Sequence, residues 1–148
     1  DNKMKIKIIG DVSAFAPDIQ ESIRKLEEFS KDYDELYFQI AMNYGSRDEI
    51  TRGMKKMAQD VADGKLSPED VTEERISGYL DTAGVPDPDL MIRTSGELRL
   101  SNFLMWQMAY TEFYFTDVPW PDFNKAELEK AIEKYNGRDR RYGGVKEE

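Results

Sequence analysis

Neither cysteine nor histidine occurs in this 148-residue chain. The first absence excludes disulfides and thiolate chemistry and fits a reducing compartment. The second removes the commonest general base and a common metal ligand, so Ser-His-Asp hydrolysis and most zinc sites are excluded. No apolar run approaches the roughly 18 residues a membrane-spanning helix needs. Internal repeats, low-complexity segments and a GxGxxG dinucleotide fingerprint are also missing. Positive charge is in deficit, with 21 Lys and Arg against 30 Asp and Glu and a net charge of −9. That argues against nucleic acid as a partner, because a phosphate backbone rewards clustered Lys and Arg. A small anionic ligand stays open, since a local arginine cluster makes a positive pocket even on an acidic protein.

What is present alternates between strand and helix. Met4 to Ile9 reads as a strand ended by Gly10-Asp11. From Pro17, the spacing of Ile19, Ile23, Leu26, Phe29 and Tyr33 predicts an amphipathic helix. Leu36 to Asn43, apolar and aromatic, predicts a strand buried on both faces, as in parallel sheets. Ser46-Arg47-Asp48-Glu49 has the form of a capping box that opens a helix with Ile50, Met54, Met57 and Val61 inward and Gly64 beyond its end. Ser67-Pro68 and Thr72 start two short helical pieces. Gly84-Val85-Pro86-Asp87-Pro88 is a stiff connector into a strand at Leu90. Asn124-Lys125-Ala126-Glu127 opens a last helix with Leu128, Ile132 and Tyr135 on one face. Such alternation predicts an α/β fold with a mostly parallel sheet flanked by helices.

The stretch Asp89–Phe115 carries the chemistry. Leu90, Met91 and Ile92 give way abruptly to Arg93, Thr94, Ser95, Gly96, Glu97, Arg99 and Ser101, after which Phe103, Trp106 and Tyr110 follow helical spacing. A loop at the carboxyl end of a strand is where open α/β sheets bind ligands. Two guanidinium forks match phosphate oxygens, Ser101 is placed to cap the following helix, and the N–H groups of that helix would face an anion. Glu97 is suited to brace one of the arginines. The plain alternative is a surface loop with solvated arginines. Met105, Trp106 and Met108 read as core packing or, alternatively, as lining for a lipid tail.

The run IRTSGELRLSNFLMWQMAYTEFYFTDVPWPDF, the later RRYGG, and IIGD and NYGSRDEI upstream resemble, in order, the carboxy-terminal half of the cis-prenyltransferase family, whose best-known members are the undecaprenyl diphosphate synthases. The resemblance covers most of the chain. It implies an enzyme that condenses isopentenyl diphosphate onto an allylic diphosphate with Mg²⁺, yielding a long-chain polyprenyl diphosphate. It assigns Arg93, Arg99 and Ser101 to the isopentenyl diphosphate, and Arg141 and Gly143 to a diphosphate in the partner's site. Glu112 becomes a Mg²⁺ ligand, Asn43 and Arg47 become crevice residues, and Glu97 a secondary one. The expected setting is a cytoplasmic homodimer that touches membrane through its lipid product. No Asp-Gly-Asn or Gly-Arg-Trp segment of the family's amino-terminal motif occurs, so one domain over 1–148 is expected, lacking the amino-terminal strands, with a basic arm at 138–148. Rival readings are a non-catalytic subunit of a heteromeric enzyme and a phosphate-ligand binding domain without turnover.

Overall fold

The computed structural model describes residues 3–137 and divides into two compact units, Asp1–Val85 and Pro86–Glu148. In the first, strand β1 (Met4–Ile9) pairs in parallel with β2 (Leu36–Ala41), in register from Met4 opposite Leu36 to Ile9 opposite Ala41. The crossover between them is helix α1 (Pro17–Ser30), begun by a proline whose missing N–H costs nothing in a first turn. Helices α2 (Ser46–Ala62) and α3 (Glu73–Ser77, capped by Thr72 Oγ1 on the Arg75 N–H) follow. Ile8, Ile9, Ile23, Met57, Leu66 and Leu80 are the buried apolar residues of this unit.

Helix α1 does more than cover β1. A parallel ladder leaves alternate amides unpaired on the far side of a strand. Here the Ile6 N–H donates to Ser30 Oγ at 3.1 Å and the Ile8 N–H to Glu27 Oε1 at 2.9 Å. Ser30 is itself buried, and its hydroxyl donates back to the Leu26 carbonyl.

In the second unit β3 (Leu90–Arg93) pairs in parallel with β4 (Glu112–Phe115), Leu90 opposite Glu112 and Arg93 opposite Phe115. Helix α4 (Lys125–Asn136) starts at Asn124, whose Oδ1 accepts from Ala126 N and Glu127 N. Met108 and Ala131 are buried here. Both pairings are parallel and helices flank the strands, an α/β architecture.

Three expectations need correction. Residues 101–110 form a chain of turns, not a helix, with Ser101, Asn102 and Leu104 in left-handed backbone conformations that break any helical run. Strand β2 is not buried on both faces: Leu36, Tyr37, Phe38 and Ile40 are all exposed. The inward stripe of α2 is Ser46, Glu49, Gly53 and Met57, rotated from the expected one. The reason is close approach. A Cβ on Gly53 would lie 3.0 Å from the Tyr79 carbonyl, so the helix meets the 79–80 segment on its small residues.

Candidate functional site

Arg93 ends β3, and its Nη2 lies 3.5 Å from Ser101 Oγ, at the outer limit of a hydrogen bond. The structure therefore brings these two side chains to one place at the carboxyl end of the strand. Arg99, largely exposed, donates to the Glu97 carboxylate. Glu97 thus braces Arg99 and tempers its charge, leaving further N–H donors on the fork.

Two amides of the loop are already committed. Ser95 N–H donates to the Val118 carbonyl at 3.0 Å and Gly96 N–H to the Thr116 carbonyl at 2.9 Å, while Thr116 N–H returns to the Arg93 carbonyl. Both Ser95 and Gly96 have positive φ, and a Cβ on Gly96 would lie 3.0 Å from Asp117 Oδ1, so glycine fits both the dihedral and the space. With those two amides spent and no helix beginning at Ser101, neither they nor a helix N-terminus is left to hold an anion here. The expected contribution from helix N–H groups is absent.

Glu112 opens β4, with its N–H on the Asp89 carbonyl. It pairs with Leu90, three residues before Arg93 along β3. At about 3.3 Å per residue the register puts Glu112 roughly 10 Å from Arg93 along the strand pair, at its opposite end. The register thus sets the backbones of Glu112 and Arg93 at opposite ends of the strand pair. Met108 is buried, whereas Met105 beside it is exposed. Arg141, Gly143 and the basic arm lie outside the described residues.

A second polar group gathers in the first unit, at the carboxyl ends of β1 and β2. Asp11, Asn43, Tyr44, Gly45 and Asp48 line a cleft of about 300 Å³. The Asp11 N–H donates to the Asn43 carbonyl, and Asn43 Nδ2 donates back to the Asp11 carbonyl at 2.8 Å. Asn43 sits at φ 47°, and Arg47 is exposed in the first turn of α2. The Ser13 hydroxyl and N–H, both donating to Asp11, hold its carboxyl below the usual range.

Behind this cleft lies a network that pattern reading missed. Arg52 places both Nη atoms on the Asp81 carboxylate, at 3.0 and 2.7 Å, and its Nε on Asp48. The Arg52 hydrogen bonds pull the Asp81 carboxyl below its ordinary value, and Asp81 in turn raises the Arg52 guanidinium. Glu49 is almost wholly buried and accepts from Tyr44 Oη and the Asp81 N–H. The S-x-x-E spacing marks the start of α2, but the N-cap is Gly45 rather than Ser46, and Glu49 turns into the interior. Its interval from Gly53 and Met57, four and eight residues on, was the available signal.

Comparison with known proteins decides the family. A family model described as "Putative undecaprenyl diphosphate synthase" matches residues 1–143. The chain belongs to the undecaprenyl diphosphate synthase family of prenyltransferases. Among curated relatives in that family, the isoprenyl transferase of Streptococcus pneumoniae strain R6 is 52% identical, matched over 97% of this chain and 59% of its own length. That of Chlamydia trachomatis is 48% identical over 97% of this chain and 56% of its own. The chain thus spans less than two thirds of the curated relatives it matches. Among solved structures, lavandulyl diphosphate synthase from Lavandula x intermedia, crystallised with dimethylallyl diphosphate, superposes with a TM-score of 0.91 at 38% identity, over 97% of this chain and 62% of that one. A probable undecaprenyl diphosphate synthase from Campylobacter jejuni gives 0.83 at 37% identity, over 96% and 64%.

Proposed function

We propose that this chain supplies the isopentenyl diphosphate side of a cis-prenyl transfer that makes a long-chain polyprenyl diphosphate, a carrier-lipid precursor. The observation that carries the reading is the meeting of Arg93 and Ser101 at the carboxyl end of β3, in a member of a prenyltransferase family. In the reaction the allylic C–O bond breaks and diphosphate departs with its electrons. The double bond of isopentenyl diphosphate forms the new C–C bond, and a proton is lost. What this chain does is bind and aim. The Arg93 fork and the Ser101 hydroxyl would hold the diphosphate so that the double bond faces the electrophilic carbon. Arg99, steadied by Glu97, adds a second cation. Asn43 and Arg47 are proposed as second-tier polar residues of the crevice, Arg141 and Gly143 as further diphosphate contacts across a homodimer, and the setting as cytoplasmic with membrane contact through the product.

Mg²⁺ is part of the proposal. No group of three potential acidic, His or Cys ligands occurs among the described residues. Mg²⁺, however, commonly takes one or two carboxylates together with substrate phosphates and waters. Glu112 fits such a role as a single ligand, and its distance from Arg93 along the strands favours a diphosphate other than the one Arg93 holds. When bound, the ion would offset charge developing on the departing diphosphate.

The test is a chimera in which these 148 residues replace the matching segment of the Streptococcus pneumoniae isoprenyl transferase. Labelled isopentenyl diphosphate incorporation is followed with Mg²⁺ and with EDTA. Chain growth that EDTA stops is expected. A folded chimera that binds isopentenyl diphosphate without turnover would instead favour a binding domain or a non-catalytic subunit.

A further inference from the structure

We infer that Glu49 is a positioning residue, the buried member of a closed ring of hydrogen bonds that fixes Asn43 at the carboxyl ends of β1 and β2. The ring can be followed atom by atom. Gly10 N–H donates to Asp81 Oδ2 at 3.0 Å, Asp81 N–H to Glu49 Oε1 at 2.9 Å, and Tyr44 Oη to Glu49 Oε2. Tyr44 adjoins Asn43, whose carbonyl accepts from the Asp11 N–H, and Asp11 adjoins Gly10. Three stretches distant in sequence, 10–11, 43–49 and 81, are thereby locked together.

A buried carboxylate is a poor means of stabilising a helix face, since a well-packed apolar side chain of similar volume commonly does as well or better. What an apolar side chain lacks is the ability to accept from a hydroxyl and an amide on two separate segments. One of these segments carries an uncommon backbone: Asn43 is held in the left-handed region at φ 47°, and such a conformation persists where the surroundings over-determine it. Glu49 supplies that constraint from inside while Asn43 stays exposed at the cleft. The functional part rests on the proposed reading that Asn43 is a second-tier polar residue of the substrate crevice.

The test uses the chimera and the 148-residue chain together. Glu49→Leu and Tyr44→Phe break the ring. Glu49→Gln, whose oxygen still accepts from Asp81 and whose amide still faces the Tyr44 hydroxyl, preserves it. In the chimera, Glu49→Leu and Tyr44→Phe are expected to raise the KM for one diphosphate about tenfold with kcat little changed, and Glu49→Gln to restore it. In an Asn43→Ala background the same substitutions should add nothing. An undiminished loss in that background would overturn the inference and leave Glu49 a structural residue only. Amide hydrogen exchange in the 148-residue chain reads the ring without any turnover: Asp81 and Gly10 should exchange faster in Glu49→Leu than in Glu49→Gln. Equal exchange overturns the ring itself, whereas a parent chimera without turnover defeats only the proposed reaction.

Discussion

Gly10 and Gly64 offer a matched pair of substitutions whose outcomes should differ for one physical reason. Both have positive φ, 111° and 71°, and both lie in the unit Asp1–Val85. A Cβ added at Gly64 meets nothing within 4 Å. Gly64→Ala therefore carries only the left-handed penalty of about 1–2 kcal/mol, less about 0.4–1 kcal/mol recovered from the stiffer unfolded chain, a net of roughly 1 kcal/mol. A Cβ at Gly10 would lie 2.2 Å from the Met42 carbonyl oxygen and 3.1 Å from that of Asn43. The obstacle is backbone in the turn just beyond β2, so relief requires prising the end of β1 from that turn where Asp11 and Asn43 bond to each other. Strain of about 1–3 kcal/mol plus the loss of one or two hydrogen bonds at about 1 kcal/mol each gives roughly 3–4 kcal/mol. Against the usual total stability of about 5–15 kcal/mol, that is a large fraction. Urea unfolding followed by circular dichroism measures both variants under one condition. Gly10→Ala should lower the midpoint far more than Gly64→Ala. Equal costs would refute the close approach of β1's end to the 42–44 turn.

Arg93→Ala, measured in the chimera, should weaken isopentenyl diphosphate binding by about tenfold or more, the scale of a lost charge-assisted hydrogen bond, while leaving the urea midpoint close to wild type. Unchanged affinity would remove Arg93 from the site. Asp81 has its carboxyl pulled below its ordinary value of 3.8 by Arg52. The resulting stability is fully present above 3.8 and is lost as pH falls through the lower folded value. Asp81→Asn should consequently be the less stable protein at pH 6, with the gap to wild type narrowing in urea titrations carried to about pH 2–3. A gap that stays constant would show that the pair does not titrate with folding. Asn124→Ala removes the cap on α4 and should cost about 1 kcal/mol, read as a lower thermal midpoint, with Asn124→Ser largely sparing it.

The strands were legible because their signals are local. Apolar runs bounded by Gly-Asp, Asn-Tyr-Gly or an abrupt arginine placed β1, β2 and β3, and the caps at Thr72 and Asn124 act as their residue types suggest. Faces were less legible. On α2 a pattern built from apolar residues selects Ile50, Met54 and Val61, whereas packing selects Ser46, Glu49 and Gly53, which no hydropathy scale marks as interior. On α4 the buried residue is Ala131, while Leu128 and Ile132 are partly exposed. The turns at 101–110 were hidden for a different reason. Left-handed backbone at Ser101, Asn102 and Leu104 is imposed by surroundings, and two of those residue types give no advance sign of it. In the candidate site, Arg93 with Ser101 and Arg99 with Glu97 could be anticipated from types and spacing. The commitment of the Ser95 and Gly96 amides to the 116–118 turn could not, because it depends on a strand pairing 20 residues away.

The rim of β1 bears on how this sheet can widen. Two of its outward amides, those of Ile6 and Ile8, are already taken by Ser30 and Glu27 from the helix that follows it. A stray chain thus meets two amides on that side that are already occupied, which guards against edge-to-edge aggregation. Any additional strand, whether from this polypeptide or another, must first evict those two side chains and so dislodge α1. Growth of the sheet in that direction is an exchange of partners, and its rate would be set by how readily the helix lets go.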